Sequence, residues 1–310
     1  MILATFLPQL PGGVVVGLPL HRLTVLPQRD TTTSGVPRGG FFDPELPPVE
    51  VQSIARVSQR GRWRTEAMRS YERPVMLWFT RGQGRLTIAG RSCGYGPHNL
   101  VFLPPKTMHG FTVMGQVLGS MVFLPNASVF DWPDDALHLR LGDVRRQREL
   151  TGMIDAMSRE LDDANERSNL ALYHHAGLLS VWLTRTSTEL SETQPLSPGV
   201  RRDTAAHRLA EAYTSLVERD FRRPEGVSHY AKRLGITPTH LSRACRSVAG
   251  VPALDILADR RHFEARRLLK DSHLPVAEIA RQCGFSSAAY FTRAFRARSG
   301  QSPTEFRDAV

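Results

Sequence analysis

The sequence predicts an α+β chain of two domains, a β-rich N-terminal half and an all-α C-terminal third. Three observations carry that division. From about Val51 to Pro125, short β-prone runs alternate with Gly/Pro punctuation. After Pro133 the apolar residues recur every three to four positions, the stripe of an amphipathic helix. Residues 203–310 then contain an internal repeat. A chain of 310 residues with 41% apolar content has enough material for about two cores.

Residues 1–50 are rich in Pro and Gly, as in Pro44-Glu45-Leu46-Pro47-Pro48, and read as an irregular arm. In the β-rich part, 51–140, the runs are Val75–Thr80, Arg85–Ala89, Asn99–Leu103, Gly110–Val113 and Val117–Leu124. Gly82-Gln83-Gly84 reads as the turn between the first two of these. Evenly spaced strands of this kind suit a sandwich or barrel. In the helical pair, 141–190, Leu150, Ile154, Met157 and Leu161 mark one helix and Leu172, Ala176, Leu179 and Leu183 a second. These stripes suit packing on the barrel, an oligomer interface, or both. Thr193 to Gly199 has the composition of a linker, placed at 191–202.

The longest apolar stretch, Gly13 to Leu20, is interrupted by Gly17 and Pro19, well short of the roughly 20 residues a membrane span needs. No Lys or Arg precedes Arg22, so the start lacks the basic n-region of a secretory signal, and a cytoplasmic location is expected. Cys93, Cys245 and Cys283 are too few and too scattered for a disulfide framework or a zinc site. Cys93, between Ser92 and Gly94, reads as a loop cysteine; a redox role lacks electropositive support beyond Arg91.

Charge is unevenly spread. The formal net charge is +10, yet residues 1–199 hold 20 basic against 18 acidic residues, whereas 200–310 hold 20 against 12. Concentrating the excess in a third of the chain points to a polyanionic partner. The repeat narrows the choice. Val227, Ala231, Leu234, Gly235, Ile236, Leu241, Arg243, Arg246 and Gly250 recur as Val276, Ala280, Cys283, Gly284, Phe285, Phe291, Arg293, Arg296 and Gly300. A small residue that lets two helices approach, a glycine four residues on, and an apolar plug make a helix-turn-helix. Pro238 suits the first turn of one following helix and Ser287 the start of the other. Two copies in register, each followed by paired arginines, predict a DNA-binding domain. Ala253 to Lys270 between them reads as a strut of about 27 Å, suited to two recognition helices set about 34 Å apart in successive major-groove faces.

On these residues the C-terminal domain, 203–310, resembles that of AraC-type transcriptional regulators. The match rests on Ala277–Phe285, on Tyr290-Phe291-Thr292-Arg293-Ala294-Phe295-Arg296, and on the closing Gly300, Pro303, Phe306 and Arg307. The resemblance implies that Thr239, His240, Ser242 and Arg243 face bases from the first recognition helix, and Ala288, Ala289, Tyr290 and Arg293 from the second. Arg246 and Arg296 complete the expected DNA-binding set. Two departures stand out: Cys245 replaces a large aromatic core residue, and Ala288-Ala289 offer bases no hydrogen bonds.

The β-rich region is similar to the cupin-like effector domain that precedes this unit in the family, through Gly82 and Pro104-Pro105-Lys106-Thr107-Met108-His109. Enzymatic cupins hold a metal with paired His and Glu residues on one strand and a His on a later one. Here the early stretch, Trp63 to Arg69, contains no histidine, so Glu66 and His109 alone do not make a metal site. A sensor pocket without metal or cofactor is therefore expected, with Arg64, Trp78 and His109 as candidate ligand contacts. The resemblance implies a homodimeric regulator of promoter DNA, activator or repressor, responding to a small effector such as an aromatic or other organic acid. It leaves RNA polymerase open as a further partner. The alternatives are a degenerate cupin metalloenzyme with a DNA-binding appendage, and a ligand-independent DNA binder.

Overall fold

The computed structural model describes residues 49–59, 63–126, 129–163, 167–193 and 204–309. The expected arm up to residue 48 and linker residues 194–202 lie outside the described residues.

The sheet domain opens with β1 (Glu50–Ser53), α1 (Ile54–Gln59) and α2 (Trp63–Glu66). It continues with β2 (Val75–Ile88), β3 (Arg91–Tyr95), β4 (Asn99–Leu103), β5 (His109–Phe123) and β6 (Leu137–Arg140). The strands form one antiparallel sheet in the order β1-β5-β2-β4-β6, with β3 paired to the far half of β2. Gly82-Gln83-Gly84 is not the expected turn. It is a bend inside β2, where the register with β5 slips between Phe79 and Gln83. Gly82 takes φ +89°, and a Cβ there would lie 2.4 Å from the Gln116 carbonyl oxygen. A glycine bulge thus bends the strand without ending it. The two runs expected at Gly110–Val113 and Val117–Leu124 are likewise one strand, β5.

The continuous apolar run Val75–Phe79 has a simple cause, since both faces of this part of the sheet are buried. Met76 and Trp78 face one core with Leu100, Phe102 and Val122. Val75, Leu77 and Phe79 face a second core with Leu86, Tyr95, Val101 and Phe111. That second core is filled by rings: Phe79 stacks on Tyr95 at 4.0 Å and meets Phe111 edge-on at 5.7 Å.

Two helices cover the first face, α3 (Val144–Asp163) and α4 (Ser168–Thr193). Leu150, Ile154 and Met157 of α3 and Leu172, Ala176, Leu179 and Leu183 of α4 all point into the sheet core. The apolar stripe read from the sequence therefore packs inward, and Leu172 and Leu179 are unavailable to a partner. The large apolar residues exposed on α4 are Leu170, Leu178 and Val181.

The C-terminal domain has seven helices among the described residues: α5 (Ala205–Asp220), α6 (Val227–Arg233), α7 (Pro238–Ala249), α8 (Ala253–Asp271), α9 (Val276–Gln282), α10 (Ala288–Ser299) and α11 (Pro303–Asp308). At 19 residues, α8 is about 28 Å long. Two small cores flank it, one joining α5, α6 and α7 and the other joining α9, α10 and α11. A buried ion network ties α8 to α5. Arg260 forks onto Glu218 through Nε (2.6 Å) and Nη2 (3.0 Å) and reaches Glu264 through Nη1 (3.2 Å). Burial pushes the Glu264 carboxyl up, but Arg267 and Arg260 outweigh it and hold the pKa at about 2.

Candidate nucleic-acid interface and effector site

Each helix-turn-helix is built by the same local chemistry. Ala231 and Ala280 are buried where the paired helices meet. Gly235 (φ +71°) and Gly284 (φ +74°) take the left-handed turn, a conformation in which a Cβ is strained. The turns close identically, with Ile236 N–H donating to Ala231 O and Phe285 N–H to Ala280 O, both at 3.0 Å. Thr237 and Ser287 then cap the recognition helices, their hydroxyls accepting from the backbone N–H of His240 (3.2 Å) and Tyr290 (3.3 Å). Pro238 occupies the first turn of α7 and Ser287 is the N-cap of α10, the positions their residue types suggested.

These caps fix which face of each helix is free. On α7, Leu241, Ala244, Cys245 and Ala249 are buried, and on α10 Phe291 and Phe295. Thr239, His240, Arg243 and Arg246 are exposed and Ser242 is half-buried on the opposite side of α7. On α10, Ala288, Ala289, Tyr290, Arg293 and Arg296 are exposed. All ten sequence-predicted positions therefore fall on the two outward faces, five to a helix. The side chains of Arg243, Arg246 and Arg293 make no hydrogen bond or ion pair among the described residues, unlike that of Arg260 and the pair that Arg298 makes with Asp255 and Asp259. An open groove of about 550 Å³ runs beside α7, lined by Thr239, Ser242, Arg243 and Arg246. Unpaired guanidinium groups on a capped, rigid helix are what a phosphate or a guanine edge requires.

The candidate effector contacts do not converge in this way. The Arg64 side chain lies outside the described residues. Trp78 is buried in the core beneath α3, its Nε1 donating to Thr151 Oγ1 at 3.2 Å. His109 is 1% exposed and starts β5. Burial, then the Arg69 cation, lower its pKa to about 3, so its ring is neutral. Opposite it across a hydrogen-bonded pair stands Arg69 (Arg69 N–H to His109 O 2.9 Å, His109 N–H to Arg69 O 2.7 Å). Arg69 was not singled out by sequence, because nothing local marks it. The stretch compared with the metal-bearing strand of enzymatic cupins begins as a helix here, α2, and only Arg69 at its end pairs in β fashion, through a single bridge to His109. Among the described residues no three His, Cys, Asp or Glu side chains gather as a metal site.

Cys93 is on strand β3 opposite Leu86, not in a loop. Its Sγ lies 3.5 Å from His138 Nδ1, and His138 Nε2 meets Asn99 Oδ1 at 2.8 Å. Burial pushes the thiol pKa up against a smaller opposing effect of Arg85, which disfavours the thiolate a redox sensor needs.

The family model described as "AraC-like ligand binding domain" matches residues 53–179, and the model "Helix-turn-helix domain" matches 230–309. The HTH-type transcriptional regulator GlxA of Rhizobium meliloti (strain 1021) is 35% identical over 120 residues, covering 37% of this chain and 36% of that protein. This chain's match thus spans about a third of GlxA's length. The arabinose operon regulatory protein of Escherichia coli (strain K12) is 25% identical over 247 residues, 73% of this chain and 77% of that one. Among solved structures, the DNA-binding domain of AdpA, in complex with a target DNA, is 33% identical and covers 33% of this chain and 90% of that chain, with a TM-score of 0.30.

Proposed function

Because the chain belongs to the AraC-type family of transcriptional regulators, we propose that α7 and α10 read two successive major-groove segments of promoter DNA while the sheet domain senses a small molecule. The observation that carries the reading is the pair of capped helices on one strut, α8, each with unpaired arginines outward. The α10 face, with Ala288 and Ala289 at its tip, reads more through Arg293, methyl contacts and DNA shape. The α7 face, with Thr239, His240 and Arg243, makes the more base-specific contacts. The reading of the sheet domain as a sensor is supported by the match of residues 53–179 to a ligand-binding family model.

Arg243→Ala tests the DNA reading. Measured by fluorescence anisotropy on sites selected from random DNA, it should weaken binding by about 1–3 kcal/mol and relax preference at one base pair. Uniform weakening on every sequence would assign Arg243 to phosphate instead.

The chain acts as a dimer joined through the outer stripe of α4. Leu170, Leu178 and Val181 supply the exposed apolar surface there. Replacing Leu178 and Val181 together with Glu should leave folding and single-site binding intact. On DNA with two sites it should remove the gain from tethering, about 10²–10⁴ in apparent affinity. Sedimentation velocity checks the first effect and gel-shift titration the second. A double variant that stays dimeric would place the contact on another face.

A further inference from the structure

Arg69 is fully buried, 0% exposed. Its Nη1 donates to the carbonyls of Thr65 (2.8 Å) and Ala67 (3.2 Å). Its Nε and Nη2 have no hydrogen-bond partner at bonding distance and angle; burial lowers its pKa, and the nearby Tyr71 hydroxyl offsets only part of that. Those two nitrogens form one edge of the guanidinium, whose parallel N–H bonds match the two oxygens of a carboxylate. A buried cation with two dry donors is costly, and such a group calls for an explanation beyond packing.

His109, its cross-strand neighbour, adds a second specification. Its Nδ1 lies 2.9 Å from the Thr107 carbonyl oxygen, which can only accept, so Nδ1 carries the proton. In the neutral ring Nε2 is then an acceptor, and it too is buried without a partner. The pair therefore presents a cationic edge for a carboxylate and a lone pair for a hydroxyl.

A ring from the other domain closes this end of the sheet. Phe263 of α8 lies 5.9 Å from the Arg69 guanidinium, while Phe111 lies 5.4 Å from it on the sheet side. Tyr71 bridges the two domains, edge-on to Phe263 at 6.4 Å and 5.6 Å from the His109 ring. Phe263 belongs to the helix that spaces the two recognition helices. The interior of the bent sheet is already filled by Phe79, Tyr95 and Phe111, and three buried polar atoms without partners, Arg69 Nε, Arg69 Nη2 and His109 Nε2, lie at this seam.

We propose that Arg69 and His109 form the polar end of an effector site for a small hydroxy-carboxylate, and that the ligand enters by displacing Phe263, so that occupancy loosens α8 from the sheet domain. This rests on reading the sheet domain as the sensor. Without ligand the ring covers the dry guanidinium. With ligand, the carboxylate satisfies Nε and Nη2, the hydroxyl donates to His109 Nε2, and α8 is released. Effector and docking then compete for one site, which is a population shift with a stated differential contact.

The test uses the full chain labelled with ¹⁵N-histidine and three probes of equal size class, glycolate, acetate and glycolamide, at constant ionic strength. Glycolate should shift the His109 Nε2 resonance saturably, acetate should bind about tenfold more weakly, and glycolamide should not bind at all. Arg69→Gln should abolish glycolate binding. Should that variant fail to fold, Phe263→Ala carries the test, because removing the competing ring should tighten glycolate binding by about fivefold or more. Equal binding of glycolamide and glycolate, or no tightening in Phe263→Ala, overturns the proposal. The same samples are titrated with selected DNA. Sequence-specific binding without any glycolate response overturns this inference alone, whereas loss of sequence-specific binding in the wild type overturns the regulator reading beneath it.

Discussion

Arg260→Ala should destabilise the C-terminal domain by about 3–5 kcal/mol, a large share of the stability of a domain of this size. The side chain is 4% exposed and is held by Glu218 and Glu264, which are 8% and 4% exposed. Removing it strands the Glu218 carboxylate in the core, while Glu264 keeps Arg222 (3.0 Å) and Arg267 (2.9 Å). It also removes the cation from the face of Phe221, 3.9 Å away. Taking out both charges of the fork, in Arg260→Met with Glu218→Leu, should recover most of the loss, because the penalty comes from an unpaired buried charge more than from the missing attraction. Urea denaturation followed by circular dichroism measures both. A loss below about 1 kcal/mol for the single variant would mean that water reaches the network.

The two turn glycines should respond very differently to alanine, although the repeat makes them equivalent in sequence. Gly235→Ala meets no atom within 4 Å and suffers only the left-handed backbone, about 1–2 kcal/mol. In Gly284→Ala the new Cβ would lie 2.5 Å from the Phe221 carbonyl oxygen and 2.6 Å from that of Arg223. Those carbonyls cannot swing away, because Arg261 Nε donates to Phe221 O at 2.9 Å and its Nη2 donates to Arg223 O. The overlap adds about 1–3 kcal/mol to the backbone strain. Gly284 is where the second helix-turn-helix packs on the loop after α5, so the variant should also disturb the link between the two recognition helices. Thermal melts of the two variants decide the matter. Equal losses would show that the second turn is not held against that loop.

How much of this was legible in the sequence depends on how local each feature is. The helix-turn-helix pair was readable because Ala231-to-Ile236 and Ala280-to-Phe285 specify themselves within one turn, by close approach, positive φ and a plug. The strut was expected at 253–270 and runs to Asp271. Helix α4 was expected from Leu172, Ala176, Leu179 and Leu183, but periodicity cannot say what a stripe packs against, and that stripe covers the sheet. The outer residues Leu178 and Val181 carry too little pattern to be noticed. In the sheet domain, Gly82 looked like a turn because a glycine bulge and a hairpin turn use the same residue for the same backbone freedom. Arg69 was illegible for a different reason. Its meaning depends on His109, about 40 residues later, and on Phe263 in the other domain, and nothing in the chain near Arg69 records either neighbour.

The central claim is that one chain carries two groove-reading helices on a single strut. Hydroxyl-radical footprinting of the full chain on a selected DNA site tests it most directly. The account predicts, for each chain bound, two protected patches on one face of the duplex about one helical turn apart. Arg243→Ala should thin one patch and Arg293→Ala the other. A single patch per chain, or two variants that weaken the same patch, would contradict it.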